Sequence, residues 1–357
     1  MEEENKVINT DNTVVDSAKP SSSKKHLWLI GIAVVLIAVV AYGFMSKNTK
    51  NQSPLAIYGE ALTKTLKETD VTLKLSGDAY NVNATAKYNL ADTLNDTIID
   101  LSQGNEMRGV IANGKIAFSL EGLLGKGALS IQEALTPLGI DYAEVEKSFE
   151  KAMKSRYNPN LAELAENLKE TAKGQNLKYA DKINEKALKQ AAELAINCDN
   201  ELATGANFNK IFKNYSKTDE DNGTTYKFDL DAAALSEIVS KYISANYSKY
   251  PELKALLDAM TNEEGVYKTF DEAIKAGEAN IAEDYSAPVS FTFTVDKKGF
   301  LGKTTIKYEE NAISFEFLDV GATKIDKTEI DAFIQECENY KSPLDNHDNT
   351  QSKKAGF

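Results

Sequence analysis

Residues 27–45 read LWLIGIAVVLIAVVAYGFM, nineteen positions without a charge. As a helix rising 1.5 Å per residue this run spans about 28 Å, close to the roughly 30 Å hydrocarbon core of a bilayer. Trp28 and Tyr42 stand near its ends, where amphipathic aromatics favour the interface. Lys24 and Lys25 flank one side and Lys47 and Lys50 the other. The polar lead of 26 residues is long, and no small-residue cleavage site follows the run. No cysteine stands near its end to take a lipid. The pattern predicts an uncleaved signal anchor, a single-pass tether in a cell membrane. Lysines near the two ends balance, so the charge rule scarcely orients the span. A short leading tail with adjacent lysines usually stays in the cytosol, which places the following domain outside it. The alternative is a cytosolic domain.

Four parts follow from this feature. Residues 1–26 are polar, without an apolar period, and are expected to be disordered. Residues 27–45 form the anchor. Residues 51–340 make the soluble domain, and 341–357 are a second polar tail. The net charge is −13. The first tail holds five acidic residues against four lysines, so nearly all of the excess belongs to the domain. An acidic domain with two arginines, Arg108 and Arg156, is a poor partner for polyphosphate, and nucleic-acid binding is excluded. The two histidines, His26 and His347, flank the domain. That removes Ser-His-Asp, Cys-His and His-ligated zinc chemistry from it. No cofactor, metal or catalytic residue is expected, and the domain is read as not an enzyme.

Within the domain, Ser53-Pro54 opens a helix bearing Leu55, Tyr58, Leu62 and Leu66, ending near Thr69. Alternation then predicts strands over 71–75 and 80–90, with shorter ones at 96–102, 106–112 and 115–120. Asn113-Gly114 is the strongest hairpin signal. Helical periods dominate 141–281, a block expected as an insertion or a lid, with one strand at 224–230 and Asp231 capping a helix. Strands return around Phe291–Val295, Thr304–Tyr308 and Ile313–Phe317. A last helix opens at Thr328 with Asp331 as a capping box. Both strand groups are read as alternating, each with one packed and one wet face. The fold class is α+β: a curved, half-barrel-like antiparallel sheet packed against helices, plus the transmembrane helix.

Phe291–Asp326, FTFTVDKKGFLGKTTIKYEENAISFEFLDVGATKID, joins a strand with an Asp turn to two long strands and a closing Asp-Val-Gly turn. With the helix-then-meander at 53–120, it resembles the LolA/LppX-like half-barrel lipoproteins and lipoprotein carriers of the bacterial envelope. The resemblance covers 53–120 and 287–326 and implies a curved sheet around helices with an apolar cavity for acyl chains. The absence of a lipobox cysteine sets the tethering apart from the lipoprotein members.

Several motifs have a plain and a functional reading. Cys198 and Cys337 are two buried thiols or a disulfide. Glu121-Gly-Leu-Leu-Gly-Lys-Gly127 lacks the Ser or Thr after Lys that a phosphate loop needs, and reads as a flexible loop. Asp219, Glu220 and Asp221 are a solvated turn or a cation site. Asp229 and Asp231 are a surface acid and a helix cap, or an acid–base pair. Phe291, Phe293, Phe315 and Phe317 share a sheet face, as core or as the wall of an apolar ligand pocket. The function expected is a membrane-anchored, extracytoplasmic protein binding a lipid, a lipoprotein segment or another apolar ligand. The alternative is a structural or regulatory module that docks an envelope protein partner.

Overall fold

The computed structural model describes residues 52–77, 82–104, 106–120, 125–157, 160–264, 267–284 and 287–340. The predicted span Leu27–Met45 and both tails lie outside these residues. Among the described residues, no helix is long and apolar enough to cross a membrane.

The chain begins with α1 (Pro54–Leu66), whose cap is as expected: the Ser53 hydroxyl accepts from the Ala56 amide. A meander follows: β1 (Asp70–Gly77), β2 (Val82–Asn89), β3 (Ile98–Gln103), β4 (Met107–Ala112), β5 (Lys115–Leu120) and β6 (Gly125–Ser130). Between β4 and β5, Asn113 and Gly114 take φ of 53° and 70°, the two left-handed positions of a two-residue hairpin. The helices α2 (Ile131–Leu135), α3 (Tyr142–Tyr157), α4 (Leu161–Gly174), α5 (Glu185–Leu202) and α6 (Gly205–Ile211) come next. Then come β7 (Phe212–Glu220), β8 (Gly223–Leu230), α7 (Ala232–Asn246), α8 (Pro251–Glu264) and α9 (Phe270–Asp284). The chain closes with β9 (Val289–Asp296), β10 (Leu301–Tyr308), β11 (Asn311–Leu318) and α10 (Lys327–Glu338).

All eleven strands form one open antiparallel sheet in the order β6-β5-β4-β3-β2-β1-β11-β10-β9-β8-β7. The α+β class is as expected, with ten α-helices among the described residues. The two strand groups meet where β1 pairs with β11, Leu73 opposite Phe317 and Leu75 opposite Phe315. Eleven twisted strands cannot lie flat, and β6 and β7 remain as free edges, so the sheet is open and not a closed barrel.

Four readings are corrected. Gly125 and Gly127, read as part of a flexible loop, begin strand β6. A Cβ on Gly127 would come within 3.0 Å of the Phe118 ring on the neighbouring strand, so the glycine is set by a cross-strand ring that local sequence does not reveal. β7 was not expected; beyond Phe212 every residue of it is exposed, and a charged edge strand carries no apolar period. The last helix is capped by Asp326, whose carboxylate accepts the Thr328 and Glu329 amides, and not by Thr328. Finally, β3, β4 and β5 are apolar on both faces and do not alternate. Ile98-Ile99, Val110-Ile111 and Ala117-Phe118 send successive side chains to opposite sides.

Candidate functional site

Paired residues of an antiparallel ladder point to the same face. The pairings trace one row from Leu73 through Ala86, Leu101, Gly109 and Phe118 to Gly127. A second runs from Tyr226 through Phe293, Thr304, Phe315, Leu75 and Ala84 to Gln103, Met107 and Leu120. Phe228, Phe291, Ile306 and Ile313 form a third. One face is therefore apolar across the sheet from β8 to β6. Its cover is not as continuous.

Over β8–β11 this face is closed. Tyr58, Ala61 and Leu62 of α1 and Ala234, Leu235 and Val239 of α7 pack with Phe228, Phe293, Leu301, Phe317 and Val71 in the main core. Tyr58 meets Phe293 edge-on at 5.3 Å, and Tyr226 stacks on Phe293 at 4.9 Å. All four sequence-selected phenylalanines lie here. Phe293 has 0% exposure and Phe317 is buried; Phe291 and Phe315 are half-buried and pack against the same core.

Over β1–β6, beyond Val71, Leu73 and Tyr88 of the main core, no described helix covers the face. Four of the six exposed large apolar residues on described strands, Leu75, Leu101, Met107 and Leu129, lie on it, with Leu101 48% and Met107 46% exposed; a fifth, Ile313, is exposed at the end of the same face on β11. The sixth, Tyr215, packs edge-on against Phe208 at 5.1 Å. A recess of about 410 Å³ runs over Leu73, Leu75, Ala86, Leu101, Gly109 and Phe118, within the usual range for a ligand pocket. Gly109 is its floor: a Cβ there would meet nothing within 4 Å.

The opposite face of β3–β6 is covered instead. Ile330, Phe333, Ile334 and Cys337 of α10 pack on Ile98, Val110, Ala112 and Ala117. At this interface Arg108 makes a two-pronged bond to Asp100, at 3.0 and 3.1 Å, and reaches Glu329 at 2.9 Å. Its guanidinium lies 4.7 Å from the centre of the Phe333 ring. Burial alone would ease proton loss from Arg108; Asp100 and Glu329 outweigh it and hold the charge more firmly.

The other candidates resolve into structural roles. Asp229 accepts from the Ser290 hydroxyl at 2.5 Å and the Asn214 amide at 2.7 Å. These two bonds, the Ser290 one foremost, hold its carboxyl below the usual range. Asp231 accepts the Ala234 amide as the cap of α7. The two are thus engaged separately. Asp219 and Glu220 accept the Thr224 and Thr225 hydroxyls across the β7–β8 hairpin. Among the described residues no acidic, Cys or His cluster has metal-binding geometry. Cys198 and Cys337 are buried free thiols in different regions. Burial, with Asp199 and Glu201 nearby, pushes the Cys198 thiol up to about 12; burial likewise raises that of Cys337.

The four phenylalanines belong to the covered part of the apolar face. The signal for the open recess was weaker and lay elsewhere, in the consecutive apolar pairs of β3–β5. Those pairs imply two apolar faces, and a single helix can cover only one.

No protein-family model matches the chain, and no curated protein does. Eight chains of solved structures match, among them LprF from Mycobacterium bovis. That alignment covers 77% of this chain and 97% of LprF, at 9% identity and a TM-score of 0.26, too low to transfer any site.

Proposed function

We propose that this is a membrane-tethered, extracytoplasmic, non-enzymatic protein that holds a lipid acyl chain against the open face of β1–β6. The observation that carries the reading is the uncovered apolar recess over Leu75, Leu101, Gly109 and Met107. Contiguous apolar surface of this kind marks binding sites in stable proteins. Fully covering a large apolar side chain is worth about 1.5–3 kcal/mol. Leu75, Leu101 and Met107 line the recess at 36%, 48% and 46% exposure, so covering them makes an occupied face more stable than a wet one. An acyl chain fits because the recess wall offers almost no hydrogen-bonding surface. The predicted anchor at 27–45 keeps the domain within reach of a bilayer, where acyl chains are abundant. The resemblance of 53–120 and 287–326 to LolA/LppX-like proteins points the same way. Asp219, Glu220, Asp229 and Asp231 serve as a cap and in hairpin and cross-strand bonds, which favours binding over catalysis.

The test is native mass spectrometry of the full chain extracted gently from membranes. A lipid adduct is expected in the wild type and is expected to be lost in the Leu101→Lys, Met107→Glu double variant. A bare wild-type mass, or an adduct indifferent to both changes, contradicts the proposal. Capture of a specific protein through this face would support the docking alternative instead.

A further inference from the structure

The helices between β6 and β9 do not pack as one core. Ile183, Ala187, Leu256 and Met260 belong to one buried cluster. Leu194, Leu253, Leu257 and Phe270 belong to a second. Leu202 and Val239 belong to the main core on the sheet. Between the three lies a partly open apolar pocket of about 190 Å³ among α5, α7, α8 and α9. Its wall draws on every cluster: Met260 from the first, Leu257 and Phe270 from the second, Leu202 and Val239 from the third. Contact clusters usually merge into one core per domain, and close-packed interiors hold few voids larger than a water molecule.

Polar bonds fix the helices that frame this pocket. The Gln190 side-chain oxygen on α5 accepts the Glu252 and Leu253 amides at 2.9 and 3.0 Å, fixing the start of α8 against α5. Asp199, the only charged group among the described residues of the wall, accepts the Ser53 amide and hydroxyl at the start of α1. The remaining wall is apolar, with Ala195 and the Cys198 thiol among its members. A water needs two to four polar partners to settle, and this wall does not supply them.

Volume sets the ligand class. A cavity of about 150 Å³ accepts benzene, whereas whole drug-sized ligands take roughly 300–1,000 Å³. We propose that the helical block has a second binding site, which takes one small uncharged hydrocarbon group such as the end of a linear alkyl chain. No residue lines both this cavity and the sheet recess, so the two sites are independent.

The test uses the full chain in phosphatidylcholine nanodiscs, with n-octane as the probe and amide hydrogen exchange of α5 and α8 as the readout. Octane is expected to slow exchange there about tenfold or more, as ligand binding stabilises the bound form. Ala195→Leu fills the cavity: exchange should be slow without octane and indifferent to it. Leu101→Lys, on the sheet recess, should leave the octane response intact. Leu257→Ala enlarges the cavity and should respond more strongly than wild type to n-decane, which also covers the case in which Ala195→Leu does not fold. The bilayer takes up the alkane equally in each sample. No octane response in the wild type, an unchanged response in Ala195→Leu, or equal decane responses in Leu257→Ala and wild type would overturn the proposal.

Discussion

The two halves of the sheet solve the same problem differently. In the β8–β11 half one face is apolar and covered by α1 and α7. The other carries Thr292, Thr294, Thr305, Lys227, Lys303 and Lys307, and meets water. In the β3–β6 half both faces are apolar, and among the described residues α10 packs on one of them. The first half is complete as a folding unit. The second is complete only if something else covers Leu101, Met107 and their neighbours. Surplus apolar surface beyond the needs of the fold is what a binding protein must keep, because a site that folding had filled would have nothing left to bind with.

That contrast can be broken by mutation, and the largest effects belong to the covered faces. Phe293→Ala removes a side chain with no exposure, stacked on Tyr226 and met edge-on by Tyr58. It should cost about 3–5 kcal/mol in a denaturant titration. Ile330→Ala in α10 should cost about 2–5 kcal/mol, with hydrogen exchange rising first in β4–β6. If Ile330→Ala were harmless, α10 would not be the cover described. Gly127→Val comes next: its Cβ would press on the Phe118 ring, and overpacking costs about 1–3 kcal/mol. The displaced ring should also narrow the recess and weaken lipid retention. Leu101→Ala on the open face should change stability by about 0.5 kcal/mol or less, while lowering lipid retention. A loss in Leu101→Ala comparable to that in Phe293→Ala would erase the distinction between the halves.

The smallest effect sharpens the covered half. The carboxyl of Asp229 has a lowered pKa in the folded state, through Ser290 and then Asn214. A depressed carboxylate contributes stability in full above its unfolded pKa, ordinarily about 3.9, and loses it as pH falls through the folded value. Urea midpoints of Asp229→Asn should therefore change less than those of wild type between pH 6 and the acid limb. An equal acid dependence would show that Asp229 takes no part in it.

Local chemistry was legible in the sequence, and cover was not. Ser53 as a cap, Asn113-Gly114 as a turn and Asp231 as a helix start each depend on neighbours within four residues. β6 and β7 were not legible, because Gly127 answers to a ring on another strand and β7 is an exposed edge. The apolar face itself could be read from alternation in β1, β2, β9 and β11. Which part of it stays open depends on the pairing of β1 with β11, which joins the two strand groups into one surface wider than α1 and α7 can cover. The phenylalanines and the recess share that surface, but α1 and α7 lie over one end and not the other.

The most direct test places a reporter on each half. Trp28 is the only tryptophan, so Trp28→Phe gives a silent background. Leu101→Trp reports from the open face and Thr292→Trp from the wet face of the covered half. With lipids brominated along the acyl chain, fluorescence from position 101 should be quenched strongly and that from position 292 scarcely at all. Equal quenching at the two positions, or none at 101, would contradict the account.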